Sequence, residues 1–296
     1  MKLFLIRHGE TIHNVTHVYA GITDSPLTVH GGLQAERLGK EFADYGIRFT
    51  HIFSSDLQRA RKTANAVWSA QPQADGHAKK VDVVPLAVLR EQDFGSLEET
   101  PFFAATRDSK ASGKEHSRSQ HYPDPNYKEV ESKESMDLRT KKFLQERLVP
   151  ILLHDSEGKT MVAIVSHGII LSHLWRCFVA LFSKNSVTLG PGLSVGNGGG
   201  APLEYLGGWA NTGYLELDIQ RKESFDQPVL DTSTTPSNST NKSHPLSPLL
   251  SEFKMVIRAV NAQDHLAGLK RTRGGVGSSK LDDDQKKIES FFKKKG

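Results

Sequence analysis

Residues Leu3-Phe4-Leu5-Ile6-Arg7-His8-Gly9-Glu10-Thr11 set four apolar side chains directly against a polar turn. That is the pattern of a short strand buried on both faces. The grammar recurs at Met161-Val162-Ala163-Ile164-Val165-Ser166-His167-Gly168, and an apolar helix over Gly168–Phe182 follows it. Between these two units, His30–Tyr45 carries Leu33, Ala35, Leu38, Phe42 and Ala43 at helical spacing. His51–Ser54 reads as a strand, Asp56–Trp68 as a helix and Val81–Pro85 as a strand. Tyr214–Ile219 alternates apolar and polar residues, as a less buried or edge strand does. Strands alternating with helices predict an α/β protein, a three-layer α/β/α sandwich around a mostly parallel sheet.

The chain has 296 residues, 37% hydrophobic and 24% charged, which supports a packed core and excludes collagen-like or wholly disordered classes. A single cysteine, Cys177, excludes an intrachain disulfide framework and a cysteine-based zinc cluster. Charge is unevenly placed. Residues 254–296 hold 11 Lys/Arg against 5 Asp/Glu, whereas the remainder holds 27 against 29. The basic balance therefore belongs to the tail, and a body that binds nucleic acid sequence-specifically is not expected. The apolar run at Met161–Val165 is far too short to span a membrane, and Leu3–Ile6 is too short for a signal-peptide core. A cytoplasmic or nuclear location is the expectation, with no membrane partner.

Three stretches interrupt the strand–helix rhythm. Residues 100–135 are polar and include Arg107, Lys110, Lys114, His116, Arg118 and His121, which suggests a long inserted loop or lid. Residues 183–210 hold a glycine cluster and suggest a second insertion, while the Ser/Thr/Pro/Asn-rich residues 223–248 read as a linker. Beyond it, Leu249, Leu250, Phe253, Val256, Ile257 and Val260 predict an amphipathic helix within 249–266 that docks on the body. The expected organisation is thus a body over 1–222, the linker, that helix, and a flexible basic tail over 267–296.

In a parallel α/β sheet, residues just beyond the carboxyl ends of strands line the crevice where ligands bind. If the two strand–His–Gly units are neighbours, His8 and His167 face one another there. Glycine after each histidine permits a sharp turn and close approach of an anion to backbone N–H groups. Arg7 adds a planar guanidinium suited to phosphate oxygens. Such a site favours phosphate and holds a possible nucleophile, an imidazole nitrogen.

Arg7-His8-Gly9-Glu10-Thr11 with Asn14 resembles the signature of the histidine phosphatase superfamily, which includes the phosphoglycerate mutases. The resemblance continues through Gly21–Thr28, Gly31/Gly32 with Gln34-Ala35, Ser54–Ala64, Leu89-Arg90-Glu91-Gln92-Asp93-Phe94-Gly95, Glu134–Arg139 and Val165-Ser166-His167-Gly168. These ordered blocks cover about residues 1–220. The resemblance implies a phosphoglycerate mutase-like fold with His8 as nucleophile forming a phosphohistidine. It implies that Arg7, Arg59 and His167 hold the transferring phosphoryl group, with Asn14 in support. Glu91 would protonate the leaving oxygen and then help activate water. Phosphoryl transfer leaves little covalent work to the protein, so fixed positive charge and alignment dominate, and His167 could add a third cationic donor to the two arginines. No metal or cofactor is then expected, and a phosphorylated small metabolite or phosphoprotein is the expected substrate.

Within the family, mutases commonly continue past the position of Glu91 with an Arg-His-Tyr-Gly stretch, where this chain reads Gln92-Asp93-Phe94-Gly95. His13 stands where mutases usually carry Trp, and Ala20 where they carry Ser or Thr. A metal-independent phosphomonoesterase is favoured, with a mutase or sugar bisphosphatase as the catalytic alternative. A phosphatase-fold scaffold recruited to a sliding clamp, chromatin or transcription machinery is the alternative from another class.

The tail carries its own signal. Gln285, Ile288, Phe291 and Phe292 fit the spacing of the PCNA-interacting (PIP) box, which resembles a one-turn hydrophobic plug with a separate glutamine contact, flanked here by lysines. A DNA sliding clamp is the implied partner. The same residues at helical spacing also fit a terminal amphipathic helix packed on the body, and Lys286, Lys287 and Lys293–Lys295 fit nuclear import or weak nucleic-acid attraction.

Overall fold

A computed structural model describes residues 1–71, 81–102, 125–194, 202–222, 249–271 and 276–281. Its strands are β1 (Lys2–Arg7), β2 (His51–Ser55), β3 (Val83–Leu86), β4 (Met161–Ser166), β5 (Val187–Leu189), β6 (Tyr214–Arg221) and β7 (Phe253–Ala262). They form one sheet in the order β3-β2-β4-β1-β6-β7-β5. β1 lies parallel to β4, β4 to β2, β2 to β3 and β5 to β7, while β6 runs antiparallel to both β1 and β7. The expected mostly parallel sheet is present.

Alternation along the central strands sorts their side chains into two cores. Leu3, Leu5, Val162 and Ile164 face one side, where they meet Phe143 of α4 (Lys133–Phe143) and Leu171, Trp175 and Phe178 of α6 (Gly168–Val179). Phe4, Ile6, Ala163 and Val165 face the other, against Leu38 and Phe42 of α2 (Val29–Asp44) and Ala60, Ala64 and Val67 of α3 (Gln58–Ser69). Burying a side chain of this size contributes about 1.5–3 kcal/mol, so the doubly covered strands β1 and β4 anchor the three-layer sandwich. Two shorter helices, α1 (Ile12–Thr16) and α5 (Val149–His154), complete the α-helices among the described residues, and a π-helical stretch, Leu144–Leu148, joins α4 to α5. None of the described helices is long and apolar enough to cross a membrane.

The structure corrects several expectations. β6 is not an edge strand: it is paired on both sides, and Leu217 is fully buried. The predicted amphipathic helix within 249–266 is strand β7, which pairs with β6 and β5. Leu250, Phe253, Val256, Ile257 and Val260 satisfy a helical spacing, but Phe253, Met255 and Ile257 are the buried set, at period two. The sheet therefore extends well past residue 222. Part of the 183–210 stretch is ordered sheet too, because it contains β5. The expected flexible tail is also pinned in part. Val29 N donates to Ser279 O and Leu281 N to Leu27 O, while Arg271 lies 3.3 Å from a Glu10 carboxylate oxygen. Residues 223–248 and the tail motif at 285–292 lie outside the described residues, as do Arg107, Lys110, Lys114, His116, Arg118 and His121 of the expected lid.

Candidate active site

Parallel pairing of β1 with β4 sets Arg7 opposite Ser166, and His8 N donates to Ser166 O at 2.9 Å. The next residue of each strand is thereby placed side by side. The rings of His8 and His167 lie 5.0 Å apart between centroids, inclined at 59°. Glycines allow this crowding. A Cβ on Gly9 would stand 2.5 Å from Gly31 O, so the backbones of the His8 loop and α2 touch only because both residues lack side chains.

Hydrogen bonds assign the two imidazoles opposite tautomers. His8 Nδ1 lies 2.7 Å from Gly9 O, and a carbonyl can only accept, so Nδ1 carries the proton and Nε2 keeps its lone pair. Arg59 Nε donates to His167 Nδ1 at 3.0 Å, so that nitrogen is the acceptor and Nε2 carries the proton. One ring is thus a nucleophile in waiting and the other a donor. Both are neutral in the free protein. Burial, and after it the charges of Arg59 and Arg7, hold His8 well below the ordinary imidazole value. Burial and Arg59, then His8 and Arg7, do the same for His167. The expected third cation is therefore a neutral N–H donor.

Positive charge comes from the arginines. Arg59, almost fully buried on the inner face of α3, donates four bonds: to His167, to Thr23 O, to Ala20 O and to Gly21 O. A guanidinium has five N–H groups, so only one on Nη1 is left for a ligand. Arg59 consequently acts as a fixed charge and as the clamp on His167 more than as a free phosphate fork. Burial pulls it down to about 10, against the opposing pull of Glu91, Asp24 and Glu98, and it stays a cation at neutral pH. Arg7 is also lowered by burial, with Glu91 opposing; its Nη1 donates to Trp209 O at 2.5 Å. Arg7 Nε and His167 Nε2 are buried donors with no hydrogen-bond partner among the described residues. Leaving such a group unmade costs about 1–3 kcal/mol, and the oxygens of a tetrahedral oxyanion are its natural complement.

Glu91 sits at the N-terminus of α6. Its Oε2 accepts from Ile169 N at 3.0 Å, and its Oε1 accepts from Ile170 N and Gln92 N at the same distance. The carboxylate thus caps a helix that has no side-chain cap of its own at His167. Oε2, with one backbone partner, keeps a lone pair for a proton. Asn14 closes α1 in a capping box with Thr11, and its Oδ1 also accepts from Asn211 Nδ2 at 3.0 Å. The amide nitrogen of Asn14 remains as its donor. Arg7, His8, Asn14, Arg59 and Glu91 all line one cavity of about 520 Å³, whose lining also includes Tyr19 in ring contact with both Phe94 and Phe102. Among the described residues no group of three or more His, Cys, Asp or Glu side chains is placed to hold a metal ion.

Four supporting residues carry no role in the sequence reading. Glu98 accepts from Gly21 N, Ile22 N, Thr23 N and Phe94 N, fixing the loop whose carbonyls hold Arg59. Arg139 donates to Val88 O, Arg90 O and Glu91 O while paired with Glu131, and so places the backbone of Glu91. Asn211 Nδ2 donates to His8 O. Thr212, at φ 56°, directs its N–H at the carbonyls of Arg7 and His8. That backbone region is costly for a β-branched residue and persists only where surroundings over-determine it. Here they do: the Thr212 hydroxyl donates to Asn211 O and accepts from His265 Nε2.

Comparison with known proteins agrees with this geometry. The family model described as histidine phosphatase superfamily (branch 1) matches residues 3–194. A Schizosaccharomyces pombe protein described as a probable phosphatase is 29% identical over 295 residues, covering 98% of this chain and 79% of its own. A Klebsiella pneumoniae protein described as a probable phosphoglycerate mutase is 41% identical over 98 residues, but the match spans only 33% of this chain and 41% of the mutase. Among solved structures, a mycobacterial hydrolase superposes with a TM-score of 0.56 at 20% identity over 88% of this chain and 99% of its own. A mycobacterial glucosyl-3-phosphoglycerate phosphatase superposes at 0.52 and 21% over 74% of this chain and 91% of its own. These two share the fold. With the family model matching most of the chain, and its two histidine-bearing strand ends bringing the rings within 5.0 Å of one another, this protein belongs to branch 1 of the histidine phosphatase superfamily.

Proposed function

We propose that the protein is a phosphomonoesterase that works through a phosphohistidine, without a metal, on a small phosphorylated metabolite or a phosphoprotein. The observation that carries this reading is the pair of opposed tautomers, His8 on the cationic cavity with a free Nε2 lone pair and His167, its ring 5.0 Å away, with an Nε2–H. In the first step His8 Nε2 attacks phosphorus and the P–O bond to the leaving group breaks. Its electron pair leaves on that oxygen, which takes a proton from Glu91. Arg7 Nε, His167 Nε2–H, the amide of Asn14 and the fixed charge of Arg59 receive the equatorial oxygens. In the second step water attacks phosphorus and gives its proton to the Glu91 carboxylate. The P–N bond breaks and its pair returns to Nε2, leaving inorganic phosphate.

Hydrolysis is preferred over mutase chemistry because Gln92, Asp93, His13 and Ala20 depart from the mutase pattern. The S. pombe relative that matches across nearly the whole chain carries a phosphatase description. Rapid quench with a labelled aryl phosphate tests the reading: acid-labile label on His8, absent in His8→Ala, together with loss of turnover in that variant. Unchanged turnover in His8→Ala refutes it, chelator-sensitive turnover points to a metal mechanism, and return of label to an organic acceptor points to a mutase.

A further inference from the structure

α6 runs away from the phosphoryl end of the cavity, and one of its faces forms the cavity wall. Ile169, Ser172, His173 and Arg176 line it, spaced as residues on a single helical stripe. Only the first turn of this helix is used by the chemistry proposed above. Ser172 is already committed, donating to Gly168 O and accepting from Trp209 Nε1 at 3.0 Å. His173 is not. Its Nδ1 lies 2.5 Å from Asp137 Oδ1, an oxygen of a carboxylate kept ionised: burial works to raise Asp137, but the bond to His173 and the nearby cations outweigh it. The ring is therefore oriented from behind, and Nε2 is the polar atom it has left for the cavity. Arg176, half-buried, has no hydrogen-bond or ion-pair partner among the described residues; Asp137, which feels its charge, is already bonded to His173.

We infer that His173 and Arg176 form a second anion subsite, which receives a carboxylate or a further phosphate at the far end of the substrate. The inference rests on the phosphomonoesterase reading and narrows its substrate class. At a rise of 1.5 Å per residue, His173 and Arg176 stand roughly 8 and 12 Å along the helix from Gly168, beside which the Arg7 guanidinium lies. A substrate bridging the two ends thus has its anions separated by a chain of about six atoms. Arg176 suits either anion, since its planar fork pairs with carboxylate and phosphate alike. Asp137 orients the His173 ring from behind, and Arg176 supplies the positive charge that an anionic tail would meet.

Three probes of equal length separate the possibilities: hexyl phosphate, 6-phosphooxyhexanoate and hexane-1,6-diol bisphosphate. Expected is a kcat/KM higher by ~10–100-fold for one or both anionic tails than for the neutral tail, expressed mainly in KM, as for one desolvated charged hydrogen bond worth about 1.5–3 kcal/mol. Which tail is preferred identifies the anion. In Arg176→Gln this preference, taken as a ratio, falls at least tenfold. Equal kcat/KM for all three probes, or a preference that survives Arg176→Gln, overturns the subsite. Failure of the hydrolytic reading is distinguishable, because none of the probes would then turn over. In that event calorimetric binding of hexane-1,6-bisphosphonate against hexylphosphonate, with and without Arg176→Gln, decides the subsite alone. Equal affinities, or a difference indifferent to Arg176, overturn it.

Discussion

Arg59 Nε donates to His167 Nδ1 at 3.0 Å, and this one bond determines which face of the imidazole carries a proton. The arginine is itself held by three carbonyls of residues 20–23, so a charge, a tautomer and a loop conformation are coupled in one cluster.

Arg59→Lys retains the charge and loses the coupling, since an ammonium cannot hold His167 and three carbonyls in a planar fork. Turnover is expected to fall by ~10²–10³-fold, the usual cost of losing one transition-state donor. Steady-state kinetics with an aryl phosphate and nitrogen-edge NMR of His167 check it together. Near-normal kcat with His167 still protonated on Nε2 contradicts the assignment.

Glu98 tests the loop from the other side. Its two oxygens accept four backbone N–H groups, two each. Glu98→Gln turns one acceptor into a donor facing donors, which is expected to cost about 1–3 kcal/mol of stability. It should also lower kcat, by loosening the carbonyls that hold Arg59. A thermal melt and a kcat measurement equal to wild type in both respects would remove Glu98 from the support of the site.

A sequence exposes the residues that act along their own strand and conceals those that act across loops. His8 and His167 stood out because β1 and β4 are buried on both faces, so their apolar runs stop where the site begins. Arg59 was found only through the family resemblance, since nothing in a helix full of cations marks the one that turns inward. Glu98 and Thr212 were missed because they work through backbone groups of loops about 75 and 204 residues away. The sequence misleads at β7 because Phe253 and Ile257, four residues apart, fit both a helical and a strand period, and only pairing with β6 chooses between them. The helical reading also conceals His265, the residue through which the segment following β7 reaches Thr212.

The histidines make a pH prediction with a definite sign. Since the folded protein holds His8 well below the ordinary imidazole value of about 6.5, its nucleophilic nitrogen stays unprotonated as pH falls through that value. Corrected for ionisation of the substrate, kcat/KM should show no acid limb there. The unfolded chain does bind protons at about 6.5, so His8, His167 and His265 (lowered to about 4, chiefly by burial) make stability fall on acidification from that value downward. A pH–rate profile and melts across the same window check both halves. Half-loss of kcat/KM near 6.5, assigned by NMR to His8, would contradict the first.

The tail motif requires its own experiment. Residues 279–281 are tied to 27–29, and a Cβ on Gly32 of α2 would stand 3.0 Å from the Leu281 side chain, so the chain is anchored to the body immediately before the motif. We propose that Gln285, Ile288, Phe291 and Phe292 bind a DNA sliding clamp from this anchor, on the strength of their spacing and the flanking lysines, which would speed association with an acidic surface. The full chain should be captured by purified clamp at micromolar concentration, and Phe291→Ala with Phe292→Ala should abolish capture. Absence of capture by the unaltered chain leaves the motif to packing on the body, and capture indifferent to both aromatics shows that lysine charge alone was responsible.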